Sequence, residues 1–219
     1  MSICAQEDKL FNEWRNHRVQ LVTDGVVSEK DYLDSKYKIC FVLKEVNDPD
    51  GGGWDLREYL ANESRTQTWS NVSRWVYGIS NIERDVPWSE YKKVDLAFRS
   101  EQLKKICAFN LKKSPGTHTT DNISFNETIK ADKIFIQKQY ELYDPEITIC
   151  CGTGTPFRNT LEFNEHTTKE THHGIEWFER EKEKYVFLFP HPEARIKNSL
   201  LVYGLIEAVR EILIFNKKH

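Results

Sequence analysis

The sequence predicts an α/β fold, a three-layer α/β/α domain built on a four-stranded parallel sheet. Three observations lead there. Four short apolar runs are continuous rather than alternating, the pattern of strands covered on both faces. The segments between them are long and carry spaced apolar residues with helical period. Helix-length connections between strands imply parallel crossovers.

In chain order, Leu10–Val22 reads as the first helix, with Leu10, Trp14, Leu21 and Val22 near one stripe. Tyr37–Leu43 (YKICFVL) is the first buried strand, and Asn47–Gly53 (NDPDGGG) is a loop whose three glycines have little backbone preference. Ser64–Ile79 and Ser89–Lys104 follow as helices, then Lys105–Leu111 (KICAFNL) as the second strand. Ser124–Tyr143 is predicted helical, Glu146–Cys151 (EITICC) is the third strand and Tyr185–Pro190 (YVFLFP) the fourth. Ser199–Phe215 closes the chain with Leu201, Leu205, Val209, Ile212 and Leu213 along one face.

The length of 219 residues fits one domain, 1–219, with no internal repeat or linker. Hydrophobic residues at 39% and 12 Phe, 9 Tyr and 6 Trp supply a core and exclude a disordered chain. Thirty-one basic against 34 acidic side chains give a net charge of −3. That excludes a polycation that coats nucleic acid, but not a local basic groove. No apolar stretch reaches membrane-span length, and Met1 to Lys9 shows no secretory signal. Cys4, Cys40, Cys107, Cys150 and Cys151 are odd in number and contain no Cys-x-x-Cys pair. They read as reduced thiols, three of them inside apolar runs. The expectation is a cytoplasmic monomer without a metal or other cofactor. His166, Glu170, His172 and His173 lack the regular spacing of a zinc site and read as a solvated loop.

Ligands of open parallel sheets bind at the carboxyl ends of the strands. Lys44-Glu45-Val46-Asn47 follows the first run, Asn110 to Gly116 (NLKKSPG) the second, Gly152-Thr153-Gly154-Thr155 the third and His191-Pro192-Glu193 the fourth. A carboxylate at Glu45 can orient water or stabilise a cation. The amide of Asn110 offers a donor and an acceptor to a base edge. A neutral imidazole at His191 can donate one hydrogen bond to a developing anion. Taken alone, Glu45 reads first as a cap and His191 as a packed or capping residue, while Asn110 reads equally as a satisfied buried amide; three on one sheet edge form a pattern.

That pattern resembles the uracil-DNA glycosylase superfamily, most of all its short microbial branches. In the branch that carries an iron–sulfur cluster, the first strand ends in Gly-Glu-Ala-Pro-Gly. Lys44-Glu45-Val46-Asn47-Asp48 stands in that place here, with Glu45 on the carboxylate position. The family's Asn-Val-Val-Lys-Cys-Arg-Pro-Pro-Gly is matched by Asn110-Leu111-Lys112-Lys113-Ser114-Pro115-Gly116. Asp144-Pro145 precedes the third strand and Gly152 ends it, and His191-Pro192 ends the fourth, as in the family. Ser114 replaces a cluster cysteine and no Cys pair stands near the N-terminus, so the resemblance implies no cluster.

The resemblance implies a monofunctional DNA glycosylase that flips out and hydrolyses off a uracil or modified pyrimidine, one option being a bulky modified cytosine of phage DNA. Glu45, Asn47 and His191 would be catalytic, Asn110 and Trp54 would hold the base, and Lys112, Lys113, Arg195 and Lys197 would meet DNA phosphates. Val46-Asn47-Asp48 and the glycines after it imply room for a base larger than uracil, with Asn47 and Asp48 free to bond a substituent. Two other readings remain at this point. One is a catalytically silent fold relative that binds nucleic acid or protein. The other is a nucleotide-binding enzyme that uses Gly152–Gly154, which lacks the following Lys of a phosphate loop.

Overall fold

The computed structural model describes residues 1–18, 20–46, 48, 51–62, 64, 67–116 and 121–215. The first half contains α1 (Ile3–Arg15), β1 (Gly25–Val26), α2 (Glu29–Leu33), β2 (Ile39–Leu43), α3 (Leu56–Asn62), α4 (Gln67–Ser80), α5 (Trp88–Tyr91), α6 (Leu96–Leu103) and β3 (Ile106–Asn110). The second half contains α7 (Asn122–Ala131), α8 (Lys133–Tyr143), β4 (Ile147–Cys151), α9 (Gly154–Leu161), β5 (Lys169–Glu170), β6 (Glu176–Glu181), β7 (Lys184–Phe189) and α10 (Asn198–Arg210), with a π-helical turn at Glu211–Phe215.

The chain is α/β with one mixed, seven-stranded sheet in the order β1-β3-β2-β4-β7-β6-β5. The four apolar runs are β2, β3, β4 and β7, which pair in parallel at its centre. β1, β6 and β5 add antiparallel at the two edges. The expected four-stranded sheet is thus too small. β1 and β5 are two residues each, and β6 (Glu-Trp-Phe-Glu-Arg-Glu) is mostly charged. None of the three is an apolar run. Lys169–Glu170 also shows that the region read as a solvated loop contains a strand.

Side chains of the central strands alternate between two apolar cores. Ile39, Phe41, Ile106, Ala108, Ile147, Ile149, Phe187 and Phe189 pack with residues of α3, α4 and α10. Cys40, Val42, Cys107, Phe109, Cys150 and Val186 pack with residues of α1, α7, α8 and α9. Four of the five cysteines are buried free thiols, and Cys4 is partly exposed.

Three helical expectations are corrected. The first helix starts at Ile3, with Ser2 Oγ accepting from Ala5 N–H at 3.2 Å, and ends at Arg15. Leu21 and Val22 sit on its projected stripe but belong to a bridging segment, where Val22 N–H bonds to Lys113 O and Thr23 N–H to Trp54 O. Residues 89–104 form two helices, because Asp95 caps a new one through Phe98 N–H at 2.8 Å. Residues 124–143 break at Asp132, whose carboxylate is held by Arg18 at 2.7 and 3.0 Å.

The segment leading to the sheet's carboxyl edge is tied down by a buried carboxylate. Glu7 accepts from Val26 N–H at 3.0 Å and from Arg57 at 2.7 Å, and Arg57 also holds Asp55. Gly25, at φ +131°, is the only residue type that fits beneath it, since a Cβ there would lie 1.9 Å from Glu7 Oε1. Burial raises the Glu7 carboxyl from 4.5 to about 7, against the pull of Val26 N–H and Arg57. A raised carboxyl contributes stability that is full below pH 4.5 and is lost as pH rises through 7. Urea denaturation between pH 4.5 and 8 should therefore show a decline of about 3 kcal/mol that Glu7→Gln abolishes. An equal decline in the variant would mean that Glu7 titrates normally.

Candidate active site

Strand order reverses between β2 and β4. The chain leaves β2 for β3 on one side, then returns across the sheet to β4 on the other. Crevices at the carboxyl ends of such strands are where open α/β sheets bind ligands. A cavity of about 490 Å³ lies there, lined by Leu43, Glu45, Val46, Trp54, Leu56, Tyr59, Thr68, Trp69, Asn110, His191 and Glu193. Its size suits a small-molecule or flipped-base site. Glu45, Asn110, His191 and Trp54, chosen from three strand ends and a loop, face this one cavity. Asn47 lies outside the described residues.

The β2–β3 ladder continues past both strands, through Leu111 N–H to Leu43 O at 2.9 Å and Lys112 N–H to Lys44 O at 3.0 Å. This extension sets Glu45 beside Lys112, and the two form an ion pair. The Glu45 side chain is only 5% exposed. Its Oε2 is taken by Lys112, while its buried Oε1 has no hydrogen-bond partner among the described residues. Gly116 closes the floor under the carboxylate. A Cβ at that position would sit 2.4 Å from Glu45 Cδ.

His191 leaves β7 on a loop pinned to the start of α4. Asn71 Nδ2 donates to Pro192 O at 2.7 Å, and Thr68 N–H donates to Glu193 Oε1 at 3.0 Å. Glu193 N–H donates to His191 Nδ1 at 3.1 Å. Nδ1 is thereby an acceptor, so the neutral ring carries its proton on Nε2. Burial lowers the imidazole pKa below 6.5, with Glu193 opposing. His191 is nonetheless exposed at the mouth of the site; its ring is neutral at pH 7, and the bond to Nδ1 leaves Nε2–H as its donor.

Asn110, 3% exposed, ends β3. Its main-chain N–H donates to Asp24 Oδ2 at 2.7 Å, and its Nδ2 donates to the same oxygen at 3.4 Å. Asp24 is fully buried and also accepts from Lys113 at 2.6 Å and Gln139 at 2.8 Å. Sequence reasoning missed Asp24 because Thr23-Asp24-Gly25 reads as a polar turn. Its partners lie 86 to 115 residues further along.

Two phosphate-contact assignments are corrected. Lys113 is fully buried, held by Asp24 and stacked near the rings of Phe109, Trp14 and Phe11. Lys112, 12% exposed, is engaged with Glu45. Neither is placed to meet a phosphate. Arg195 and Lys197 are exposed, on the loop between His191 and α10.

Trp54 lines the cavity, with Tyr59 edge-on to it at 6.1 Å. Its Nε1–H donates to Asp48 Oδ2 at 2.7 Å, and Gly52 N–H donates to the same oxygen at 2.9 Å. Gly52 and Gly53 adopt φ of +103° and +78°, which glycine alone adopts freely. The described part of the loop is therefore folded back on Asp48. The expectation that Asp48 is free to bond a substituent is corrected, since its carboxylate orients Trp54.

The four residues of the predicted histidine-rich loop do not converge. His166 Nδ1 meets Glu179 O at 3.0 Å, whereas His172 N–H donates to Glu211. Among the described residues, no three His, Cys, Asp or Glu side chains are grouped to hold a metal ion. No helix among them is long and apolar enough to cross a membrane. No protein-family model matches the chain, and no curated protein matches it.

Proposed function

We propose that this protein is a monofunctional DNA glycosylase of the uracil-DNA glycosylase type, with the three-layer frame of that superfamily. The observation that carries the reading is that residues of three different chemistries line one cavity: the carboxylate of Glu45, whose Oε1 has no partner among the described residues, the neutral imidazole of His191 and the anchored amide of Asn110. A pyrimidine nucleotide flips out of the DNA stack into the cavity. Asn110 bonds the base edge and Trp54 flanks the ring. The C1′–N1 bond breaks with its electron pair going to the base, where His191 Nε2–H bonds the developing oxyanion at O2. The Glu45 carboxylate stabilises the cationic sugar and accepts the proton of the water that adds to C1′. The departing base anion takes up a proton from solvent, which leaves an abasic site and a free base.

Arg195 and Lys197 are the cations on the cavity's rim loop that bind DNA phosphates. The net charge of −3 keeps non-specific affinity low, so binding depends on these local contacts and weakens steeply with salt. The substrate is uracil or a larger 5-substituted pyrimidine, and the protein acts as a monomer in the cytoplasm.

The test incubates the protein with oligonucleotides that each carry one uracil, cytosine, hydroxymethylcytosine or glucosylated hydroxymethylcytosine, followed by alkali. Strand scission at one of these bases is expected. Scission at none of them, with the free bases absent from the supernatant, rules the proposal out.

His191 adds a pH signature. Base release should hold as pH falls to 6.5 and drop only below it, as the ring protonates and Nδ1 loses its acceptor role. His191→Ala should lose about 10²–10³-fold in rate and lose this acid limb. An unchanged limb in that variant would assign it to another group.

A further inference from the structure

The bonds made by Asp24 settle more than the position of Asn110. A carboxamide has two N–H hydrogens. One points back toward the residue's own main chain, and the other lies beside Oδ1 on the outward edge. Asp24 Oδ2 sits at the Asn110 main-chain N–H, at 2.7 Å, and receives Nδ2 at 3.4 Å. It therefore takes the backward hydrogen. Turning the amide over would place Oδ1 against a carboxylate oxygen, two acceptors face to face. Asp24 cannot swing away to allow this. Its other oxygen is held by Lys113 at 2.6 Å and Gln139 at 2.8 Å, all of them buried. With both oxygens engaged twice, the carboxylate has no free acceptor site.

The outward edge of Asn110 then presents its C=O and N–H in one fixed order. A pyrimidine with a 4-oxo group offers an acceptor at O4 beside a donor at N3. One with a 4-amino group offers a donor at N4 beside an acceptor at N3. The two patterns are reversed, so a fixed amide complements only one.

We infer that Asp24 is a specificity-determining positioning residue, which pins the Asn110 amide so that the site discriminates 4-oxo from 4-amino pyrimidines irrespective of what C5 carries. This rests on the glycosylase reading. It differs from the family resemblance, in which the edge-reading amide alone is assigned.

The experiment compares matched pairs: uracil with cytosine, and 5-hydroxymethyluracil with 5-hydroxymethylcytosine, each in the same duplex and in single strands. The parent protein should prefer the same member of both pairs, by about 10²-fold or more in kcat/KM. Asp24→Ala removes the oxygen shared by the Asn110 main-chain N–H and Nδ2 and frees the amide to turn over, so the preference should shrink by about ten-fold or more. Because Asp24→Ala leaves Lys113 buried without its partner, the double variant Asp24→Ala with Lys113→Met is measured beside it, and both are checked for a cooperative melt. A folded double variant whose rates fall equally on both members, with the ratio unchanged, reduces Asp24 to a structural role and overturns the inference. So does a parent that handles both members alike. Release of no base from any substrate by the parent overturns the glycosylase reading instead.

Discussion

Glu45→Gln should lower the rate of base release by about 10²–10³-fold while leaving the protein folded, with a melt lowered by loss of the Lys112 ion pair. The argument is local. Gln keeps the shape that packs on Gly116 and keeps an oxygen for Lys112, so the floor of the cavity is preserved. What disappears is the negative charge on the oxygen that has no partner among the described residues. An amide cannot take a proton from water at neutral pH, and it stabilises a cationic sugar poorly. Glu45→Asp retains charge but withdraws it by one methylene, and should fall between the two. Single-turnover assays at saturating protein separate this loss from weaker DNA binding. A folded Glu45→Gln protein that releases base at the parental rate takes Glu45 out of the mechanism.

Lys113→Ala should cost about 3–5 kcal/mol of stability, read from urea denaturation. It leaves Asp24 as an uncompensated buried charge, and it empties the space among Phe11, Trp14 and Phe109. Burial already lowers the Lys113 pKa, with Asp24 opposing, so the pair is held together against a large desolvation penalty. Removing both charges together, with Asp24→Asn and Lys113→Met, should recover most of the loss. A Lys113→Ala protein as stable as the parent would place Lys113 in solvent.

These two residues also show what was legible in the sequence. Glu45, Asn110 and His191 each follow an apolar run, and such runs announce buried strands without help from distant sequence. Their meeting at one cavity follows from strand order, which no local pattern encodes. Lys112 and Lys113 read as a basic pair beside the site, because lysine is nearly always solvated. Their burial is decided by Glu45 and Asp24, which lie 67 and 89 residues away. β6 escaped for the opposite reason. Glu176, Glu179 and Glu181 hide the two aromatics Trp177 and Phe178 that it buries, and its turn into β7 uses Glu183 at φ 60° instead of a glycine. Asp132 interrupts an apolar stripe that runs through it unbroken, because its partner Arg18 lies 114 residues earlier.

The position of β2 at the middle of the sheet has a consequence for the order in which the chain can fold. β2 precedes both of its neighbours in the chain, which come from residues 106–110 and 147–151. Its apolar faces and main-chain groups stay unpaired until those segments arrive. The β6–β7 hairpin, by contrast, closes over only a few residues and can form alone, at low loop entropy. β7 then templates β4, and β4 templates β2. The pocket that needs Glu45, Asn110 and His191 together therefore waits on the long-range pairings of β2 with β3 and β4. A chain of this kind folds slowly and exposes a sticky first strand while it does so.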